Sequence, residues 1–427
     1  MRKSAIFPAG DTTLLKRKMV CWSGNFSFFQ LIDHNSYTQF HKAADCLVAA
    51  DTIATVPLIA GNVFGSIKTF FDQQPDWLFG YLTYDLKNET EPALLHENPA
   101  HGDGVKFPAA HFFCPKHIVQ INNDELIITS TEDPYKIYES IQAQPALEDV
   151  DRPSVTPSLR MPTKEYLESV IQLQQHILNG DVYEINFCQE FYLENFSVDP
   201  ALLFNRLNET NPAPFATFLK HGDHYLLSAS PERFLKKEGR QLTSQPMKGT
   251  ILRGDAAGDS MRIESLHNDP KERAENVMIV DLVRNDLARS SIAGSVKVEE
   301  LFGIYSFPTV HQMISTVSSE LRGDVHFMDA IKNAFPMGSM TGAPKIKAMQ
   351  LIDQYEKTKR GLFSGATGYI TPAGDFDFNV VIRSFLYNAN SKYLSFQAGS
   401  AITYDSIPEK EYEECLLKAK ALIAALQ

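Results

Sequence analysis

The chain has 427 residues, 44% hydrophobic and 22% charged, enough for one large core or two smaller ones, and its net charge of −12 excludes a general nucleic-acid footprint. Five scattered cysteines (Cys21, Cys46, Cys114, Cys188, Cys415), with no C-x-x-C pair, read as the reduced thiols of a cytoplasmic protein. No apolar run follows the opening MRKSAIFPAGDTT and no stretch reaches transmembrane length, so neither a signal peptide nor a membrane is expected.

Residues 1–150 alternate short apolar runs with Gly, Pro and Asp breaks, and WLFGYLTYDL, HIVQI and ELIITS read as strands. From about 141 to 162 Pro, Ser and Asp dominate, the signature of a linker or a long surface crossing. An amphipathic helix follows, with Leu167, Val170, Ile171, Ile177 and Leu178 on one face and Asn179-Gly180 as its stop. DVYEINFCQEFYL is then a strand, with further strands near 215–220, 224–229 and 233–236, and later GATGYI, FNVVIRSF and YLSFQAG. Strands and helices do not alternate regularly, so the expected class is α+β, a layered fold and not a doubly wound parallel sheet.

The first chemical signal is Lys248, in QPMKGT. A flexible ammonium there can pair with an anion, or serve as a nucleophile if its pKa is lowered. A second comes from the helix opening at Asp269, which has Pro270 at its first position and Glu272 at capping-box spacing. Glu275 shares the face of Met278, Ile279 and Leu282, where a carboxylate needs a cation or a donor; Arg284 and Arg289 are the plainer partners. In the last helix Glu411, Glu414 and Lys418 form one charged stripe. That stripe complements the helix dipole, and its paired carboxylates also suit Mg²⁺. FPMGSMTGAPKIKAM enters a helix near Thr341 and Gly342, as a plain N-cap or as an anion site. Arg383 lies in an apolar strand where its guanidinium suits a carboxylate, and Glu232 alone would pass for a surface residue.

Taken in order, SPERF, PMKGT, RAEN..IVDLVRNDLAR, GSMTGAPK, SGATGYI, IRS and EKEYEECLLKAKAL resemble the chorismate-utilising enzymes over about residues 160–427. The resemblance implies an anthranilate synthase component I-like fold, a large layered antiparallel β-sandwich with helices on the outside, in which a β-rich region, 1–150, is intertwined with a catalytic domain, 160–427. Anthranilate-forming members carry Ala where this chain has Lys248, so the branch implied aminates chorismate to 4-amino-4-deoxychorismate for p-aminobenzoate and folate. The isochorismate- and salicylate-forming members use a lysine in the strand that here reads Tyr183-Glu184-Ile185-Asn186-Phe187.

The same resemblance implies Mg²⁺ on Glu275, Glu411 and Glu414, Glu232 as general acid, and Lys248 as the nucleophile that attacks C2. It implies substrate contacts at Arg383, Thr341, Gly399, Lys418, Gly249 and Thr250. The sequence departs from the family pattern at Gln312, beside His311, where a His is common, and at Phe363, where a Tyr is frequent. No cysteine has the G-x-C-x-G setting of an amidotransferase, so ammonia is expected free or from a separate glutaminase subunit. An anthranilate synthase large subunit and a catalytically silent chorismate-binding subunit are the alternatives.

Overall fold

The computed structural model describes residues 2–35, 37, 44–94, 102–145, 154–254, 258–308 and 310–427. Part of the expected 141–162 linker therefore lies outside the described residues. Among the described residues twenty strands pair antiparallel into one connected sheet that forks at Ala110–Asn122. One arm runs through Cys46–Thr55, Phe28–Asp33, Phe215–His221, His224–Ser230, Ser384–Asn388 and Tyr393–Ile402 to Glu184–Leu193. The other runs through Leu78–Leu82, Ala366–Ile370, Phe376–Val380, Arg233–Glu238 and Gln241–Gln245 to Val310–Glu320. Met247–Leu252 and Lys297–Ser306 also pair with that last strand.

The period of two assigns each strand's faces. In Phe28–Asp33, Phe29 and Leu31 join the core beneath one helix layer, while Gln30 reaches the other arm and donates to Thr367 Oγ1 at 3.2 Å. Phe112, Leu226, Leu235, Phe378 and Leu386 belong to the core between the arms. Helices Thr12–Trp22, Pro134–Gln142, Thr163–Leu178, Pro200–Thr210 and Pro408–Ala425 cover the first arm, burying Met19, Ile141, Val170, Leu207 and Leu422. Val63–Gln73, Pro270–Ala288 and Phe327–Ala334 contribute to the core of the second arm.

Two expectations change. Helix Thr163–Leu178 buries Tyr166, Val170 and Leu173, and leaves Ile171 and Leu178 46% and 56% exposed. The buried stripe is set by Tyr166, whose ring packs against Phe187 and Tyr412; the large aromatic body outweighs its single hydroxyl. The stretch FNVVIRSF is not one strand. It breaks after Val380 and resumes at Ser384, leaving Arg383 between strands of the two arms at φ +52°.

Candidate active site

The site gathers where the chain crosses between arms. Glu232 connects His224–Ser230 to Arg233–Glu238, and Arg383 connects Phe376–Val380 to Ser384–Asn388. The crossings are stitched by Val380 N–H donating to Glu232 O at 3.0 Å and Ala229 N–H donating to Arg383 O at 3.1 Å.

Lys248 is aimed by a β-bulge. The register of Met247–Leu252 against Val310–Glu320 slips between Met247 and Thr250, which frees Lys248 and Gly249 from the ladder. Gly249 has φ +86°, and a Cβ there would lie 3.0 Å from Glu272 Oε2, so the bulge requires glycine. The Lys248 side chain is only 10% exposed and pairs with the buried Glu184 carboxylate; Nζ also donates to Asn186 Oδ1 at 3.4 Å. Glu184 and Asn186 share one face of Glu184–Leu193 at i and i+2. Burial alone would lower the pKa of the ammonium, but Glu184, Glu275 and Glu414 outweigh it and raise the value. Of the two jobs open to this lysine, the resting structure displays anion pairing.

Glu275 is buried on Pro270–Ala288, as its stripe predicted, but not against Arg284 or Arg289. Those pair with Asp281 and Glu91. Instead Lys271 Nζ lies 3.7 Å from Glu275 and 3.9 Å from Glu411, so two carboxylates from different helices face one cation. Burial first, then Glu184 and Glu272, push Glu275 up to about 7 against the pull of Lys248 and Lys271. Glu411 accepts from Ser406 Oγ at 2.7 Å. Glu414 pairs with Lys418 at 2.6 Å, and that ammonium also donates to Gly399 O at 3.0 Å.

Among the described residues no three His, Cys, Asp or Glu side chains stand as a ready metal cage. The donor chemistry nevertheless fits Mg²⁺. Glu275 Oε1, 3.7 Å from Lys271 Nζ, and Glu411 Oε2, whose sister oxygen Oε1 lies 3.9 Å from the same ammonium, are buried carboxylate oxygens without a hydrogen-bond donor.

Glu232 is 4% exposed, not a surface residue. Burial pushes its carboxyl up to about 7, with Ser339 and Lys248 opposing, so near neutrality much of it carries a proton. Arg383, among the described residues, makes no ion pair; burial lowers its pKa while Glu414 pulls the other way. A guanidinium left in this state is a receptor for an anion.

The remaining expected contacts have structural partners. Thr341 Oγ1 donates within its own turn to Met337 O and Gly338 O, and Thr341 O receives Asn186 N–H at 2.8 Å. Gly342–Ala343 pairs with Ile185 and Glu184 as a short strand ahead of helix Lys345–Tyr355, and a Cβ on Gly342 would meet Glu184 O at 2.2 Å. The Gly-rich entrance thus seats Glu184. Thr250 accepts from Gln312 Nε2 at 3.0 Å, and a Cβ on Gly399 would meet Phe187 O at 2.0 Å. His311 is held by Asp259 and Ser306, while Phe363 is core.

Sequence reading gave no role to Glu184, Asn186, Lys271 or Arg360. A carboxylate inside the apolar strand YEINF carries the signal that singled out Glu275, and Lys271 stands at i−4 from that glutamate. Arg360, fully buried on Glu356, donates to Met340 O at 2.6 Å and Asn186 O at 2.9 Å, tying the Gly-rich loop to the Glu184 strand. No local pattern announces it.

The family model described as chorismate binding enzyme matches residues 31–424, and the chain belongs to that family. It is 40% identical over 268 residues to aminodeoxychorismate synthase component 1 of Escherichia coli K12, covering 62% of this chain and 58% of that protein. Against the protein of the same name from Bacillus subtilis the figures are 36% over 280 residues, 65% and 59%. The chain thus spans less than two thirds of the length of these relatives. An anthranilate synthase component I-like protein of Synechocystis is 34% identical over 359 residues, 82% of this chain and 72% of that one. The fold is that of anthranilate synthase component I from Streptococcus pneumoniae TIGR4, at TM-score 0.78, 24% identity and coverage of 91% and 94% of the two chains.

Proposed function

We propose that the chain aminates chorismate to 4-amino-4-deoxychorismate, as the synthase component of an aminodeoxychorismate synthase serving p-aminobenzoate and folate, with ammonia released from glutamine by a separate glutaminase subunit. The observation that carries this reading is Lys248, turned by a bulge into an acid cleft that also holds the buried Glu232. Relatives at 39–40% identity are named aminodeoxychorismate synthase component 1, which supports this branch, whereas those at 36% carry either that name or anthranilate synthase alpha subunit.

In this reading Arg383 binds a substrate carboxylate. Glu275, Glu411 and Glu414 hold Mg²⁺, which when bound supplies charge to fix the ring carboxylate. Lys418 holds Glu414 in place. Glu232 gives its proton to the departing C4 hydroxyl, and Lys248 attacks C2 as that hydroxyl leaves as water. Ammonia then adds at C4, and the C2–N bond breaks to return Lys248 as an amine.

The test is the purified chain with chorismate, Mg²⁺ and an ammonium salt, with products separated by chromatography. Aminodeoxychorismate, convertible by a lyase to p-aminobenzoate, is expected. Anthranilate would replace this reading with an anthranilate synthase, and unchanged chorismate with a silent binding subunit.

A further inference from the structure

A lysine nucleophile must first lose a proton, and the resting Lys248 is an ion-paired ammonium. We infer that Glu184 is the base that takes this proton, so that it is a catalytic residue acting on the reacting nitrogen itself. The inference rests on the chorismate-aminating reading above and adds to it a residue that motif comparison does not assign.

The geometry selects Glu184 from the groups facing Nζ. These are Glu184 and Asn186 from the strand Glu184–Leu193, Glu272 and Glu275 from Pro270–Ala288, Glu414 from Pro408–Ala425, and Glu232 at the arm crossing. Glu184 alone among the carboxylates is in hydrogen-bond contact with Nζ. Glu414 is committed to Lys418, and Glu275 faces Lys271 with Glu411. Glu232 must keep its own proton for the leaving hydroxyl. Asn186 Oδ1 can accept one N–H but takes no proton; it fixes the rotation of the nitrogen so that the freed lone pair has one direction.

Burial works toward the transfer, against Glu275 and Glu414, which hold the resting proton on Lys248. Both side chains are nearly buried, at 10% and 3% exposure, and burial penalises two separated charges more than a neutral amine beside a neutral acid. The Glu184 backbone cannot retreat, because Gly342–Ala343 is paired along it. The steps balance. Glu184 receives the Lys248 proton, Lys248 forms the C2–N bond, and the C4–O bond breaks with the Glu232 proton leaving in water. Ammonia forms the C4–N bond as the C2–N bond breaks. The product ammonium then reprotonates Glu232, and Glu184 returns its proton to Lys248.

The test is single-turnover formation of the Lys248–ring adduct, followed by peptide mass spectrometry with ammonia withheld, alongside a chorismate binding isotherm. Glu184→Gln keeps the shape and a hydrogen-bond acceptor but cannot take the proton. It is expected to slow adduct formation by about 10²-fold or more while the dissociation constant for chorismate stays within about threefold. Glu184→Asp should recover part of the rate. If Glu184 were only a counter-ion, Glu184→Gln would lower the Lys248 pKa and form adduct at the wild-type rate or faster, and that result overturns the inference. Loss of chorismate binding in both variants would make Glu184 structural and overturn it equally. A wild-type chain without adduct, together with a fully active Lys248→Ala, would instead sink the underlying lysine reading.

Discussion

Glu232 offers the sharpest check, because its titration can be read without any substrate. An ordinary Glu titrates near 4.5, and burial moves this one to about 7. The folded chain therefore takes up a proton over that interval. The stabilisation it brings is full below pH 4.5 and is lost as pH rises through 7. With those two values, the linkage between pH 5 and pH 8 amounts to about 2.5 kcal/mol. Glu232→Gln removes the titration while keeping the shape. The variant should therefore gain about that much on the wild type in moving from pH 5 to pH 8. For 427 residues the unfolding entropy is about 0.9 kcal/mol/K, so the Tm difference between variant and wild type should change by about 3 °C. Glu275 titrates in the same range in both proteins and cancels in the difference. Differential scanning fluorimetry at the two pH values measures this directly. An identical Tm offset at pH 5 and pH 8 would refute the buried acid. The catalytic counterpart is a rate that falls as pH passes 7 in the wild type.

Arg383→Ala removes a guanidinium that has no ion pair among the described residues, so Tm should hold or rise while half-saturating chorismate increases by about tenfold or more; a large Tm loss would contradict the free receptor. Lys271→Met strips the shared cation from Glu275 and Glu411, and calorimetric titration should show tighter Mg²⁺ binding by several-fold; an unchanged isotherm would mean the two glutamates do not share a cation. Gly342→Ala forces a Cβ into Glu184 O at 2.2 Å from a backbone with φ +151°. It should cost about 3 kcal/mol, a Tm fall of about 3 °C, with activity lost beyond that stability effect.

Much of this architecture is legible before any coordinates. Strands with period two, the Asp269-Pro270 helix start and the buried Glu275 all follow from local chemistry, and each is present. What local reading misses is decided by distant partners. Arg383 looked like a strand residue because six of its seven companions in FNVVIRSF are apolar or small, yet the crossing between arms breaks the strand there. Thr163–Leu178 turned its face because Tyr166 found Phe187 and Tyr412, which lie far along the chain. Glu184 was noted only for not being a lysine; its meaning appears once the bulge at Gly249 brings Lys248 against it.

The charge balance of the cleft explains why its members must act together. Five carboxylates, Glu184, Glu272, Glu275, Glu411 and Glu414, face four cations, Lys248, Lys271, Lys418 and Arg383. Near neutrality Glu232 holds much of a proton, and Glu275, also pushed up to about 7, is partly protonated. The resting cleft is thus close to neutral and has no strong attraction for a dianion such as chorismate. A divalent cation would restore the ionisation of Glu275 and displace Lys271 from its two glutamates. The cleft would then gain positive charge toward a dianion, with Arg383 still unpaired to meet one of its carboxylates. In the proposed reading metal and substrate therefore favour one another through Glu275.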